Sequence, residues 1–222
     1  MKQTPLSGRI ALVTGASRGL GAACAEWLAA RGAHVVAVAR TSGGLEELDD
    51  RIQAAGGSAT LAPMDITTEA AMAHLCRSIH DRWGKADIWV HAAIHATALT
   101  PASHIRETDL DANIATNIRA TARLIAMVEP LIAPSDIATA VFFDDDGEAM
   151  YGGAYAMSKA AQRALVSRWQ AETAKHGPRV ALLHPNPMPT ALRARFYPGE
   201  NRDGLADPRA EAARLLGSLF KD

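Results

Sequence analysis

Short, unbroken apolar runs alternate with longer helical stretches along almost the whole chain, and this alternation constrains the fold more than any other feature. Ile10 to Val13, His34 to Val38, Ala59 to Ala62, Ile88 to Val90, Ala138 to Phe143 and Val180 to Leu183 read as strands. Between them, Ala22 to Ala30, Leu45 to Ala55, Thr68 to Trp83, Leu110 to Val128 and Tyr151 to His176 carry helical spacing. Gly32, Gly56-Gly57, Gly84 and Gly177-Pro178 stop four of these helices, and the one from Leu110 is expected to end near Pro130. Strands that are apolar throughout, rather than at alternate residues, are covered on both faces, as in a parallel sheet flanked by helices. The alternation therefore predicts one doubly wound α/β domain over residues 1–222, with six parallel strands and helices on both faces. The stretch from Pro185 to Asp207, rich in Pro, Gly and Arg, reads as a mobile loop (about 186–207), followed by a closing helix from Pro208 to Phe220.

Composition narrows the function classes. A chain of 222 residues buries enough surface to need no metal or disulfide staple. Lys plus Arg (23) nearly balances Asp plus Glu (24), which argues against nucleic acid or a polybasic membrane contact. No apolar run approaches the roughly 20 residues of a membrane span. The first residues show no apolar signal core, which predicts a cytoplasmic protein. Cys24 and Cys76 fall in helix interiors and read as small buried hydrophobes. His91 and His95 straddle a strand end without a third ligand at recognisable spacing, so no metal site is expected. Trp27, Trp83, Trp89 and Trp169 are spaced as packing residues.

The first strand runs straight into Thr14-Gly15-Ala16-Ser17-Arg18-Gly19-Leu20-Gly21 and then a helix. Glycines let the backbone turn tightly and approach a ligand, and the helix start offers N–H groups and a positive dipole end to a pyrophosphate. A glycine triplet alone is weak evidence; its place between strand and helix at the head of a βαβ unit makes it strong. At the end of the second strand, where an acidic residue would bind the ribose 2′-hydroxyl of NAD, the chain has Arg40-Thr41. Two guanidinium groups, Arg18 and Arg40, suit a 2′-phosphate, so NADP(H) is expected over NAD(H).

Tyr155-Ala156-Met157-Ser158-Lys159 opens the longest helix and puts the phenol and the ammonium on one face, a turn apart. A neighbouring ammonium is expected to lower the phenol pKa toward neutral. Together with the glycine turn, this pair resembles the short-chain dehydrogenase/reductase family over nearly the whole chain. The resemblance implies a single Rossmann-like domain, hydride transfer between a nicotinamide and a carbonyl carbon, and Tyr155 as the acid/base. It also implies that Lys159 clamps the nicotinamide ribose. Met64-Asp65-Ile66 is similar to the family's adenine-contacting segment, Asn117 to the Asn that holds a relay water, and Thr190, after Pro185, to the Thr that meets the carboxamide. His91, Ala92 and Ala93 fall where the family's Asn-Asn-Ala-Gly borders the cofactor, here with Ile94 in place of the glycine.

The serine that ends strand five in the family is replaced by Asp144-Asp145-Asp146. An ionised carboxylate only accepts hydrogen bonds, and beside Tyr155 it would oppose Lys159. Three outcomes stay open: a protonated Asp144 or Asp145 that donates as serine would, one that holds a substrate bearing N–H or O–H donors as in pterin-type reductases, or a cofactor-binding protein with little turnover. Asp146 reads as a solvated loop residue, and so do Arg193, Arg195 and Arg202. The expected partners are a small-molecule substrate and further copies of the chain, as a homodimer or homotetramer through helices 110–128 and 151–176.

Overall fold

The computed structural model describes residues 5–145 and 149–220. Its elements in chain order are β1 (Ile10–Thr14), α1 (Gly19–Ala30), β2 (His34–Ala39), α2 (Ser42–Ala54), β3 (Ser58–Pro63), α3 (Glu69–Trp83) and β4 (Ile88–His91). Then follow α4 (Glu107–Asn113), a π-helical segment (Ile114–Ala120), α5 (Thr121–Ile132), β5 (Thr139–Phe143), α6 (Gly153–Thr173), β6 (Arg179–Leu183), α7 (Ala191–Phe196) and α8 (Pro208–Gly217). The six strands make one parallel sheet in the order β3-β2-β1-β4-β5-β6, as the apolar strand pattern requires.

Alternation within β1 shows why its residues are apolar throughout. Ala11 and Val13 pack with α1 and α8 on one face, while Ile10 and Leu12 pack with α3, α5 and α6 on the other. The α1 face is lined by Ala22, Ala23, Cys24, Ala25 and Ala29, small side chains that let the helix lie close on the sheet. The strand order reverses between β1 and β4, so their C-terminal ends open a crevice at the switch point, where ligands bind in sheets of this kind.

Several boundaries depart from the sequence expectation. Pro130 does not end its helix: α5 runs to Ile132, because the buried Val128, Leu131 and Ile132 hold the last turn on the sheet at the cost of one missing N–H. The longest helix starts at Gly153 rather than Tyr151, whose φ of 67° lies in the left-handed region. The stretch 186–207 is not wholly irregular, since α7 forms within it, with the Thr190 hydroxyl accepting from the Arg193 N–H at its start. Among the described residues, no helix is long and apolar enough to cross a membrane.

Candidate active site

A cleft of about 600 Å³ opens at the switch point. Its floor is the glycine turn. Gly15 (φ 82°) and Gly19 (φ 58°) take left-handed conformations, and the Gly15 and Ala16 N–H groups bond the Val38 carbonyl at 2.8 and 3.0 Å. Two of the glycines have no room for a side chain: a Cβ on Gly15 would lie 2.5 Å from the Ala93 nitrogen, and one on Gly21 2.2 Å from the Gly15 carbonyl oxygen. The first N–H groups of α1 point out of the helix without intrahelical acceptors, as at every helix start. Arg18, within the turn after β1, and Arg40, after the neighbouring β2, line the cleft, as do Asp65 and Ile66 after β3. The Asp65 carboxylate accepts from both the N–H and the hydroxyl of Thr67 at 2.8 Å.

The opposite end is built from the exits of β4, β5 and β6 and from the first turns of α6. Tyr155 is only 2% exposed, with the Phe196 ring of α7 packed 5.0 Å away at 60°. Its hydroxyl donates to Asp145 Oδ2 at 2.9 Å. Burial, then the Asp145 carboxylate, pushes the phenol pKa far above its usual range, opposite to the lowering expected from Lys159. The Lys159 ammonium itself is engaged by the Phe143 carbonyl at 2.7 Å and by Gln162 Oε1 at 2.5 Å. Burial lowers Lys159 itself to about 8, against the pull of Asp145 and Asp144.

Between the two neighbouring aspartates, the structure separates what the sequence left open. Asp145 faces Tyr155, while the buried Asp144 takes the Arg163 guanidinium at 3.2 Å and lies 3.8 Å from His184 Nδ1. Asp146 lies outside the described residues. His91 is buried in the cleft wall, with Thr14 Oγ1 2.8 Å from Nδ1 and Thr121 Oγ1 3.2 Å from Nε2. Desolvation, then Lys159, pushes this imidazole down to about 3.

Gly15, Ser17, Arg18, Gly19, Leu20, Gly21, Arg40, Asp65, Ile66, His91, Ala92, Ala93, Asp144, Asp145, Tyr155, Lys159, Pro185 and Thr190 all line this cleft. Two expected site residues do not. Thr41 occupies the position before α2, without a side-chain capping bond, and falls outside the lining. Asn117, in the π-helical segment, has its amide taken up: Oδ1 accepts from the His95 N–H, and Nδ2 donates to the His95 carbonyl, both at 2.7 Å, and to Ser158 Oγ at 2.8 Å. It fastens the chain after β4 to α6. Arg193 and Arg195 are likewise not simply solvated, since Arg193 pairs with Glu200 at 2.5 Å and Arg195 donates to the Ala96 carbonyl. Phe196, Gln162 and Thr121 were not anticipated. The signal for Gln162 was a polar residue three positions after Lys159 on a face otherwise buried.

Comparison with known proteins agrees with this geometry. Residues 9–201 match the family model for short chain dehydrogenases. An uncharacterized oxidoreductase of Listeria innocua is 30% identical over 214 residues, covering 91% of this chain and 83% of that protein. Glycine betaine reductase ATRR of Emericella nidulans is 30% identical over 191 residues; the match covers 85% of this chain but only 15% of that much longer protein. A solved short chain dehydrogenase from Shigella flexneri, complexed with NADP, superposes with a TM-score of 0.90 at 27% identity, covering 100% of this chain and 95% of that one. The glycine turn, the six-stranded order and the match over most of the length lead to one conclusion: the chain belongs to the short-chain dehydrogenase/reductase family.

Proposed function

We propose that the chain is an NADP(H)-dependent oxidoreductase that moves hydride between the nicotinamide and a small carbonyl or alcohol, with Tyr155 as acid/base. The observation that carries this reading is that the Tyr155–Lys159 pair and the glycine turn border one cleft. The residues suit a phosphorylated dinucleotide, since a turn with no room for a Cβ at Gly15 and Gly21 leaves backbone free to meet a pyrophosphate, and two guanidinium groups line the same cleft. In this reading Gly15, Ser17, Arg18, Gly19, Leu20 and Gly21 hold the pyrophosphate, and Arg18 and Arg40 the 2′-phosphate. Asp65 and Ile66 border the adenine, and His91, Ala92, Ala93, Pro185 and Thr190 the nicotinamide end. When bound, NADP(H) supplies or accepts the hydride.

The chain's own residues handle the oxygen. Burial and Asp145 keep the Tyr155 phenol protonated at neutral pH, the state that donates a proton to an oxygen gaining charge. Lys159 brings a positive charge to the same wall, held by the Phe143 carbonyl. Residues 1–222 then act as one nucleotide-binding unit, with 186–207 on the substrate side. Self-association would run through the helices 110–128 and 151–176.

The 2.9 Å bond from the phenol to Asp145 favours a second reading, a pterin-type reductase. Because an ionised carboxylate only accepts, the substrate atom beside it must carry N–H or O–H. A C=N group protonated as it is reduced meets that demand, and a ketone does not.

NADPH consumption over a panel of carbonyls and dihydropterins tests both readings, together with Tyr155→Phe and Asp145→Ser. Tyr155→Phe should lower the rate by about 10²- to 10⁴-fold with NADPH affinity kept. Asp145→Ser should raise carbonyl turnover and lower pterin turnover if the second reading holds. Tight NADPH binding with no turnover on any substrate would replace both with a cofactor-binding protein.

A further inference from the structure

We propose that Gln162, Thr121 and His91 form a buried positioning chain for Lys159, holding its ammonium at the cleft and tying it to the strand that feeds the glycine turn. The direction of each link follows from the donor inventory. Lys159 Nζ donates to Gln162 Oε1 at 2.5 Å, and Gln162 Nε2 donates to Thr121 Oγ1 at 2.9 Å. The single hydroxyl proton of Thr121 goes to the Asn117 carbonyl at 2.8 Å. With that proton committed, Thr121 can only accept from His91, so Nε2, 3.2 Å away, carries the imidazole hydrogen. Nδ1 is then the acceptor for the Thr14 hydroxyl at 2.8 Å, a shorter contact than that hydroxyl's 3.4 Å approach to the Val90 carbonyl, and Thr14 is the residue before Gly15. One tautomer satisfies the whole chain.

Thr14, His91, Thr121, Lys159 and Gln162 are all at least 97% buried, so each polar atom left without a partner would carry a desolvation cost. Gln162 is not among the residues lining the cleft and acts through Lys159, which makes it a positioning residue. The charged and titratable groups facing Lys159 are Asp144 and Asp145 from the end of β5, Tyr155 and Arg163 on its own helix, and His91 on β4. Gln162 adds a neutral acceptor that favours the charged ammonium against its burial. The proposal rests on the reading of Lys159 as the partner of Tyr155 and the cofactor, but its test does not depend on turnover.

Lys159 is one of five lysines in the chain, so labelled lysine resonances of the free protein, assigned with Lys159→Met, report its titration directly. Gln162→Leu should move that titration down by about one pH unit and weaken NADPH binding about tenfold. Gln162→Glu, which keeps the size and places a carboxylate on the ammonium, should move it up by a similar amount. Imidazole ¹⁵N spectra at about pH 5 should show His91 neutral with its hydrogen on Nε2. Shifts of the same sign in both variants, an unmoved Lys159 in Gln162→Glu, or an Nδ1–H tautomer would overturn the proposal. If Gln162→Leu does not fold, the sign seen in Gln162→Glu decides alone. NADPH affinity lost without a change at Lys159 would reduce Gln162 to a packing role and also overturn it.

Discussion

The two ends of the cleft are built on different principles. At the glycine turn the backbone is the working part, and side chains matter by their absence: the Gly15, Gly19 and Gly21 positions leave no room or no permitted φ for anything larger. At the far end the backbone is a frame, and the work falls to side chains from β4, β5, α5 and α6 that meet only in the folded state. At the first end the glycines are set by space at Gly15 and Gly21 and by a left-handed φ at Gly19. The second can exchange one polar residue for another provided the hydrogen-bond pattern still closes. An aspartate beside Tyr155 is therefore compatible with the fold, and there it accepts from the phenol.

The largest effect that would break this contrast is expected at Gly21. Gly21→Ala drives a Cβ toward the Gly15 carbonyl oxygen, 2.2 Å from its position in the present backbone, and the oxygen belongs to a turn that cannot retreat because Gly15 itself abuts Ala92 and Ala93. The expected cost is about 5 kcal/mol, at the upper end for single substitutions. Chemical denaturation should show it, together with loss of NADPH binding. A variant of near-parental stability would mean that the turn can relax, and that its glycines do not set the site.

The second end should respond to pH instead. His91 is held neutral in the fold, with its pKa pushed from the usual 6.5 to about 3. The unfolded chain therefore binds the extra proton first as pH falls, so the stability from a neutral His91 is complete above about pH 6.5 and is lost progressively toward pH 3. The loss amounts to about 4 kcal/mol across that window. Urea midpoints at about pH 7 and about pH 4.5 capture more than half of it, and His91→Gln should flatten the difference while lowering both midpoints. Carboxylates such as Asp87 and Glu211, also held below their usual range, destabilise the fold in the same direction, but equally in both proteins. Equal pH dependence in parent and variant would show that His91 carries no such burden.

The same contrast explains how much could be read before any coordinates. The sheet, its six strands and the glycine turn were legible because they follow from local pattern: apolar runs, glycine positions and strand–helix succession. Tyr155 and Lys159 were legible as a pair, being a helical turn apart. The division of labour between Asp144 and Asp145 was not. It depends on where β5 stops pairing, at Phe143 opposite Leu183, and on Arg163 arriving from α6 to take one carboxylate. Gln162 and Thr121 meet across 41 residues of sequence, and no periodicity encodes such a contact. Asn117 was identifiable as a residue, yet its partners, the backbone of His95 and the Ser158 hydroxyl, could be named only from the fold. Pro130 misled because tertiary packing of its neighbours outweighs one absent hydrogen bond.

The smallest effect sharpens the comparison at the glycine-turn end, where the proposed function gives Arg40 a part in specificity. Arg40 is exposed, lines the cleft just past β2, and holds the position at which an acidic residue would select the ribose hydroxyl. Its contribution is a charge-assisted contact to a solvent-facing phosphate, so Arg40→Ala should weaken NADPH about tenfold, more at low salt than at high. NADH, which lacks that phosphate, should bind the variant as it binds the parent. The turn's own backbone contacts are shared by both nucleotides, so their loss would lower both affinities together. Equal losses for NADPH and NADH in Arg40→Ala would therefore assign Arg40 to the turn's general architecture and leave Arg18 alone to discriminate. A loss confined to NADPH places the discrimination on a side chain, even at the end of the cleft where backbone does everything else.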